Sequence, residues 1–489
     1  MTRIEPQFGQ RRTYYNNFAA HLLNAYNPNM LYPGLPHRWS DEDWRGVIDM
    51  VAALGFNVLE FWLVPRLFCR EALGSEYERG FTRQMDRIID HAHRRELKVE
   101  AICSLATVGS DWRTLCPNVK EEWAELRRLW DAWTRRLAGL DIVGIFPGDP
   151  GACSRNGCTA QTYIDKSAEV AAIVKGNLPR AEIELHTWGP PFFGWGILQG
   201  PPGWKGEFCQ GYQQTAWTFD AKRAEASMRH LLRRLADLPD PASVAINMGF
   251  NADGNPDGEQ DARPWACEIA RTHRVHSWDF SLTEGENAIV PHYRFERLFA
   301  RRRQEREAGC YSGGICFTMT PLLNQLSLYV SARSFLDPDA NHRAVAEGFF
   351  EKLFGPQGRG LVEMLPLFEV VPDWGNYEEI KLTRETYHDG MKRLVSLLED
   401  LKGQTRDELP LHPSPEHYRR ELLFFARLLA DLSGRSADFD KLRRRYWERV
   451  YAIYDLLPDH VDPRPRLATD RLIGHFRKWA EASRNIGGG

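Results

Sequence analysis

Three carboxylates stand at or just beyond the ends of apolar runs in the 489-residue sequence: Asp149, Glu284 and Glu286. Asp149 closes the stretch Asp141-Ile142-Val143-Gly144-Ile145-Phe146-Pro147-Gly148-Asp149-Pro150-Gly151, whose short apolar run reads as a strand buried on both faces and ending in a turn. Pro150 restricts Asp149 to an extended backbone, and Gly148 and Gly151 let main chain come close to a ligand. Glu284 and Glu286 share the segment Glu284-Gly285-Glu286-Asn287. Two carboxyl groups across a glycosidic bond can hydrolyse it. One protonates the leaving oxygen while the other acts as base or nucleophile, at about 5–5.5 Å for retention and about 6.5–9.5 Å for inversion. On this reading Asp149 is the general acid, which needs a raised pKa that apolar neighbours such as Trp188 would supply. Glu284 or Glu286 is then the second carboxylate, a solvated loop being the competing reading of that pair.

Around these stand residues suited to a sugar-sized polar ligand: Asn17, Glu60, His186, Trp188, Asn247, His276, Trp278, Asp279 and Thr318. Trp188 and Trp278 could stack on the apolar face of a sugar ring, while His186, Asn247 and His276 could bind hydroxyls. Two rival readings remain open. Glu60, Asp149, His186 and Asp279 could instead ring a divalent ion in a sugar isomerase or lyase, or the whole could be a carbohydrate-binding barrel without turnover. Cys153 and Cys158 flank a four-residue spacer directly after the Asp149 turn. A zinc site wants two more ligands at recognisable spacing and none is apparent, so the pair is expected to shape the loop, close enough to oxidise. No metal and no cofactor is expected.

These groups are spread over the chain, and only alternating elements can gather them. Strand-like runs are expected at 13–21, 56–64, 98–107, 141–147, 181–188, 242–250, 274–283 and 313–320. Between them helical periodicity covers 41–54, 76–97, 121–140, 160–177, 220–238, 264–271, 293–308 and 322–335. Eight β/α units in this length fit a (β/α)8 TIM barrel, whose functional groups sit at the C-terminal strand ends. An open doubly wound sheet competes, but no glycine-rich dinucleotide fingerprint follows an early strand. The barrel domain is expected over 1–336. An all-helical C-terminal domain follows over 337–486, with helices at 341–353, 382–401, 415–432, 438–456 and 470–482, and then a disordered tail at 487–489. The helical domain should pack on the barrel or offer a homodimer surface.

A net charge of −3 gives no footprint for nucleic acid, and no run is long enough for a membrane span. The polar, basic N-terminus lacks the apolar core of a secretory signal, so a cytoplasmic protein is expected. The 16 Trp, 16 Tyr and 25 Phe again suit a carbohydrate substrate.

Two stretches resemble known glycoside hydrolase barrels of the α-glucuronidase and β-N-acetylhexosaminidase kind. Phe146-Pro147-Gly148-Asp149-Pro150-Gly151, followed by a Cys pair, resembles the acid-bearing strand of hexosaminidase-like barrels. The stretch Pro321-Leu322-Leu323-Asn324-Gln325-Leu326-Ser327-Leu328-Tyr329-Val330-Ser331-Ala332-Arg333-Ser334-Phe335-Leu336-Asp337-Pro338-Asp339-Ala340 resembles the eighth-helix motif of α-glucuronidase-like enzymes. The resemblance implies a barrel followed by a helical domain, and an acid at Asp149. The hexosaminidase pattern has adjacent Asp-Glu at this strand, whereas Pro150 follows Asp149 here. Only Asp149 therefore carries over by position.

Overall fold

A computed structural model describes residues 7–15, 40–63, 67–109, 113–147, 153, 155–187, 221–246, 263–278, 293–313, 316–317, 325–368, 382–434, 437–442, 444–445, 474 and 476–479. In chain order the elements are β1 (Arg12–Tyr15), α1 (Asp41–Leu54), β2 (Val58–Leu63), α2 (Glu76–Arg94) and β3 (Lys98–Ser104). Next come β4 (Thr107–Val108), β5 (Arg113–Thr114), α3 (Lys120–Arg136), β6 (Ile142–Phe146), α4 (Ala160–Asn177) and β7 (Glu182–His186). They are followed by α5 (Ala221–Arg234), β8 (Ala242–Ile246), α6 (Arg263–Ile269), β9 (Arg274–Ser277), α7 (Phe295–Glu307) and β10 (Cys316–Phe317). The chain continues with α8 (Gln325–Leu336), α9 (His342–Phe354), a 3-10 helix (Pro356–Leu367), α10 (Arg384–Asp400) and α11 (Pro415–Ser433). Two units divide these residues: 1–26, 55–281 and 301–315 form one, and 27–54, 282–300 and 316–489 the other.

In the first unit, strands β1, β2, β3, β6, β7, β8 and β9 pair in that order, all parallel, as a curled sheet. Parallel pairing needs a crossover, and the intervening amphipathic helices supply it. In α2, Phe81, Met85, Ile88, Ile89 and Ala92 are all buried, while Ser75 caps the first turn by accepting from the Glu78 backbone N–H. In α4, Thr159 and Thr162 form a reciprocal capping box. The β4–β5 hairpin is a separate two-stranded antiparallel pair.

A closed eight-stranded barrel is not what the described strands form; seven pair side by side in this unit. The eighth strand, expected over 313–320, is described only at Gly313 and in the two residues of β10. Backbone bridges nevertheless reach both edges from one place, because Ser312 bridges Gln10 and also His276.

The second unit has a different interior. Its helices are capped by Asn341, Thr383 and Ser414 side chains, each accepting a backbone N–H of the first turn. The core is apolar and aromatic: Phe349, Phe350, Phe354, Tyr387, Met391, Leu394, Leu398, Tyr418 and Phe425 are all buried. Phe349 meets Tyr418 edge-on at 5.5 Å. No described helix is long and apolar enough to cross a membrane.

Candidate functional site

Period-two alternation puts every second strand residue on the same face. In β7 that rule aligns Glu182, Glu184 and His186. On the neighbouring strands it brings Arg12, Glu60, Glu100, Ser243 and His276 to the same place, and all of these side chains are buried. Arg12 is the hub. Its Nη1 donates to Glu184 Oε1 at 2.8 Å, and lies 2.9 Å from Glu100 Oε2 and 3.5 Å from Glu60 Oε2. Its Nη2 donates to Glu184 Oε2 at 2.5 Å and to Gln10 Oε1 at 2.7 Å. His276 Nδ1 also meets both Arg12 and Glu184. His186 Nε2 is 3.1 Å from Glu184 Oε1. Space for this crowd comes from Gly144 on β6, where a Cβ would sit 2.7 Å from His186 Nε2 and 3.1 Å from Glu100 Oε1.

The groups titrate accordingly. Burial and the nearby Glu100 push the Glu60 carboxyl up to about 8, so near neutral pH it carries a proton. Burial also raises Glu100 against the pull of Arg12. Glu184 goes the other way: burial opposes ionisation, but Arg12 and His276 hold it well below the ordinary carboxylate range. Burial lowers His186, yet hydrogen bonding to Glu100 and Glu184 outweighs it and lifts the imidazole to about 9.

The next inward positions along the strands are aromatic. Trp278 donates its Nε1–H to Glu60 Oε1 at 3.0 Å and meets His186, Phe146 and Tyr14 edge-on at 5.1, 5.5 and 6.1 Å. Phe146 in turn meets Trp62 at 6.1 Å. Behind them, the buried Tyr163 hydroxyl of α4 lies 2.7 Å from the Ile145 carbonyl and 2.9 Å from the His186 carbonyl. It therefore ties together the C-terminal ends of β6 and β7.

Four of the candidate catalytic and sugar-site residues are described, and all four fall in this interior: Glu60, His186, His276 and Trp278. Their side chains meet, and their polar atoms face one another and Arg12, with Trp278 only 4% exposed. Asp149, Glu284, Glu286, Asn17, Trp188, Asn247, Asp279 and Thr318 lie outside the described residues. Sequence reading missed Arg12, Glu100 and Glu184. The Glu182–Glu184–His186 alternation in an otherwise apolar strand was the available signal, since like positions on one face must find partners.

Among the described residues, two clusters hold metal-ligand atoms within 4.8 Å of one another: Glu100, Glu184 and His186, and Cys116, Cys153 and Cys158. The first is already served by a cation, because the Arg12 guanidinium contacts both carboxylates. Its donor set does not suit an added metal ion.

No family model matches the chain, and no curated protein matches it in sequence. Solved structures do. The O-GlcNAc hydrolase of Thermobaculum terrenum, as a point mutant, superposes with a TM-score of 0.51 at 14% identity, over 98% of this chain and 96% of that one. A GH138 enzyme targeting pectin rhamnogalacturonan II gives a TM-score of 0.50 at 9% identity, over 96% of this chain and 67% of that one. The chain shares its fold with glycoside hydrolases. At such identities the likeness is one of fold.

Proposed function

We propose that the protein is a glycoside hydrolase that cleaves a small glycoside, with an acidic or N-acetylated sugar favoured, by paired-carboxylate chemistry. One observation carries this reading: the likeness to the O-GlcNAc hydrolase runs through nearly the whole of both chains. The sheet is then completed as a (β/α)8 barrel through Tyr311 and Ser312, which already hydrogen-bond to Gly9 and Gln10 on one side and to Val275 and Ser277 on the other. Asp149, three residues beyond the buried end of β6, is the general acid, and Glu284 or Glu286 the second carboxylate. Trp188, Asn17, Asn247, Asp279 and Thr318 line the sugar site. Glu60, His186, His276 and Trp278 support its floor through the Arg12 network rather than by open contact with solvent.

A panel of chromogenic glycosides tests the proposal, with NMR of the released anomer. Turnover on at least one substrate is expected. Asp149→Asn should lower it by about 10²–10⁴-fold without loss of fold, the usual worth of a positioned acid. Near-normal turnover in that variant removes Asp149 from the chemistry. Saturable sugar binding with no turnover on the panel would favour a non-catalytic barrel.

A further inference from the structure

We propose that Cys116, Cys153 and Cys158 bind one zinc ion, fastening the segment after β6 to the β4–β5 hairpin. The site does not depend on the glycoside chemistry. Cys116 follows β5 by two residues, and Cys153 and Cys158 come from the segment between β6 and α4. All three are buried, and their sulfurs lie within 4.8 Å of one another.

Distance is the first argument. Cys116 Sγ and Cys158 Sγ are 3.5 Å apart, far beyond the roughly 2.05 Å of a disulfide. Thiolates around tetrahedral zinc, at about 2.3 Å from the metal, stand about 3.8 Å from each other by simple geometry. The observed spacing brackets that edge length. A disulfide would also need only two of the three sulfurs.

The second argument is the donors aimed at sulfur. The Arg155 backbone N–H donates to Cys153 Sγ at 3.4 Å, and Asn156 Nδ2 donates to Cys116 Sγ at 3.4 Å. Such N–H groups stabilise thiolate over thiol and orient a metal's ligands. The turn that presents them is built for the purpose. Asn156 and Gly157 take left-handed backbone conformations with φ of 51° and 69°, which turns the chain just before Cys158. Arg155 anchors that turn, its Nη2 donating to the Thr114 carbonyl and to Glu122 Oε2, both at 2.8 Å. Asn118 Nδ2 adds a bond to the Asn156 carbonyl at 2.9 Å.

Charge is consistent with this. Binding releases up to three thiol protons per Zn²⁺, and the resulting anionic tris-thiolate complex sits beside the Arg155 guanidinium. The fourth tetrahedral position is left for a water molecule or one further donor.

The test is metal analysis of the purified full-length chain. About one zinc per chain is expected, with X-ray absorption showing three sulfur neighbours at about 2.3 Å. Cys116→Ser and Cys158→Ser should each lose the metal, while Cys310→Ser, buried but apart from the cluster, should keep it. Should the cluster variants fail to fold, cobalt replacement in the unaltered chain reads the same site through thiolate-to-cobalt charge-transfer absorption. No stoichiometric metal after growth in zinc, a sulfur-free coordination shell, or a mass deficit of two hydrogens assigned to a Cys116–Cys158 disulfide would each overturn the proposal.

Discussion

The interior of the stranded unit and that of the helical unit solve the same problem with different materials. Between the strands, Arg12, Glu60, Glu100, Glu184, His186 and His276 are buried together, each charged or polar group partnered by others of the set. Among the helices, Phe349, Phe350, Tyr387, Leu394 and Tyr418 need no such agreement, because dispersion and area burial are non-directional. Buried charges cost several kcal/mol each to desolvate, so an ionic interior holds only while its partners stay in place. A greasy interior loses stability piecemeal, in proportion to the volume removed. The contrast teaches that the first region trades stability for geometry: one guanidinium fixes the register of β1, β2, β3 and β7 at once.

Substitutions can break the comparison or sharpen it. Arg12→Met should have the largest effect, a loss of about 3–5 kcal/mol in chemical denaturation, because Glu184 is left buried without its cation. A loss below that of a core leucine would mean that the network is not ionic in effect. Leu394→Ala in α10 should cost about 3 kcal/mol, and the same amount at every pH where both proteins fold, since no charge is involved. A pH-dependent loss there would erase the distinction between the two regions.

Glu60→Gln should matter least at the acid end of the range, within about 1 kcal/mol at pH 4.5, because Gln reproduces a protonated carboxyl and still accepts from Trp278. Its signature is the pH dependence. The folded Glu60 pKa is raised, from 4.5 to about 8, so across that window the folded chain keeps a proton that the unfolded chain gives up. Wild-type stability therefore declines as pH rises through the window, and the variant, lacking this group, should gain on wild type from pH 5 to pH 8 in thermal melts. His186, raised from 6.5 to about 9, loses stability in the same direction but over a higher window, and does so in both proteins. A constant difference between the two melting curves would show that Glu60 is ionised in the folded chain.

Local pattern revealed much of the fold. Helices α1 and α4 occupy the ranges expected of them, 41–54 and 160–177, because acidic first turns, caps and apolar spacing all act within a few residues. Strand lengths were overestimated. The run expected at 98–107 pairs in the sheet only as Lys98–Ser104, since pairing depends on a neighbour that the strand's own residues do not encode. The polar interior was half legible. His186 and His276 drew attention as unusual residues in apolar runs, but Arg12 sits in a short polar stretch with nothing to mark it as central. Cys116 was invisible for a related reason. Its distance in sequence from Cys153 gives no spacing motif, and only the fold, which places the residues just after β5 beside Cys158, brings the sulfurs together.

Tyr163 is fully buried, yet its hydroxyl clamps the two rails, β6 and β7, beyond which Asp149 and Trp188 follow in sequence. The gauge between those two rails is thus set from the outer layer of the protein. The sequence beyond β6 and β7 can diverge or lengthen without disturbing it, so under the proposed function new specificities could be tried there while the track beneath keeps its width.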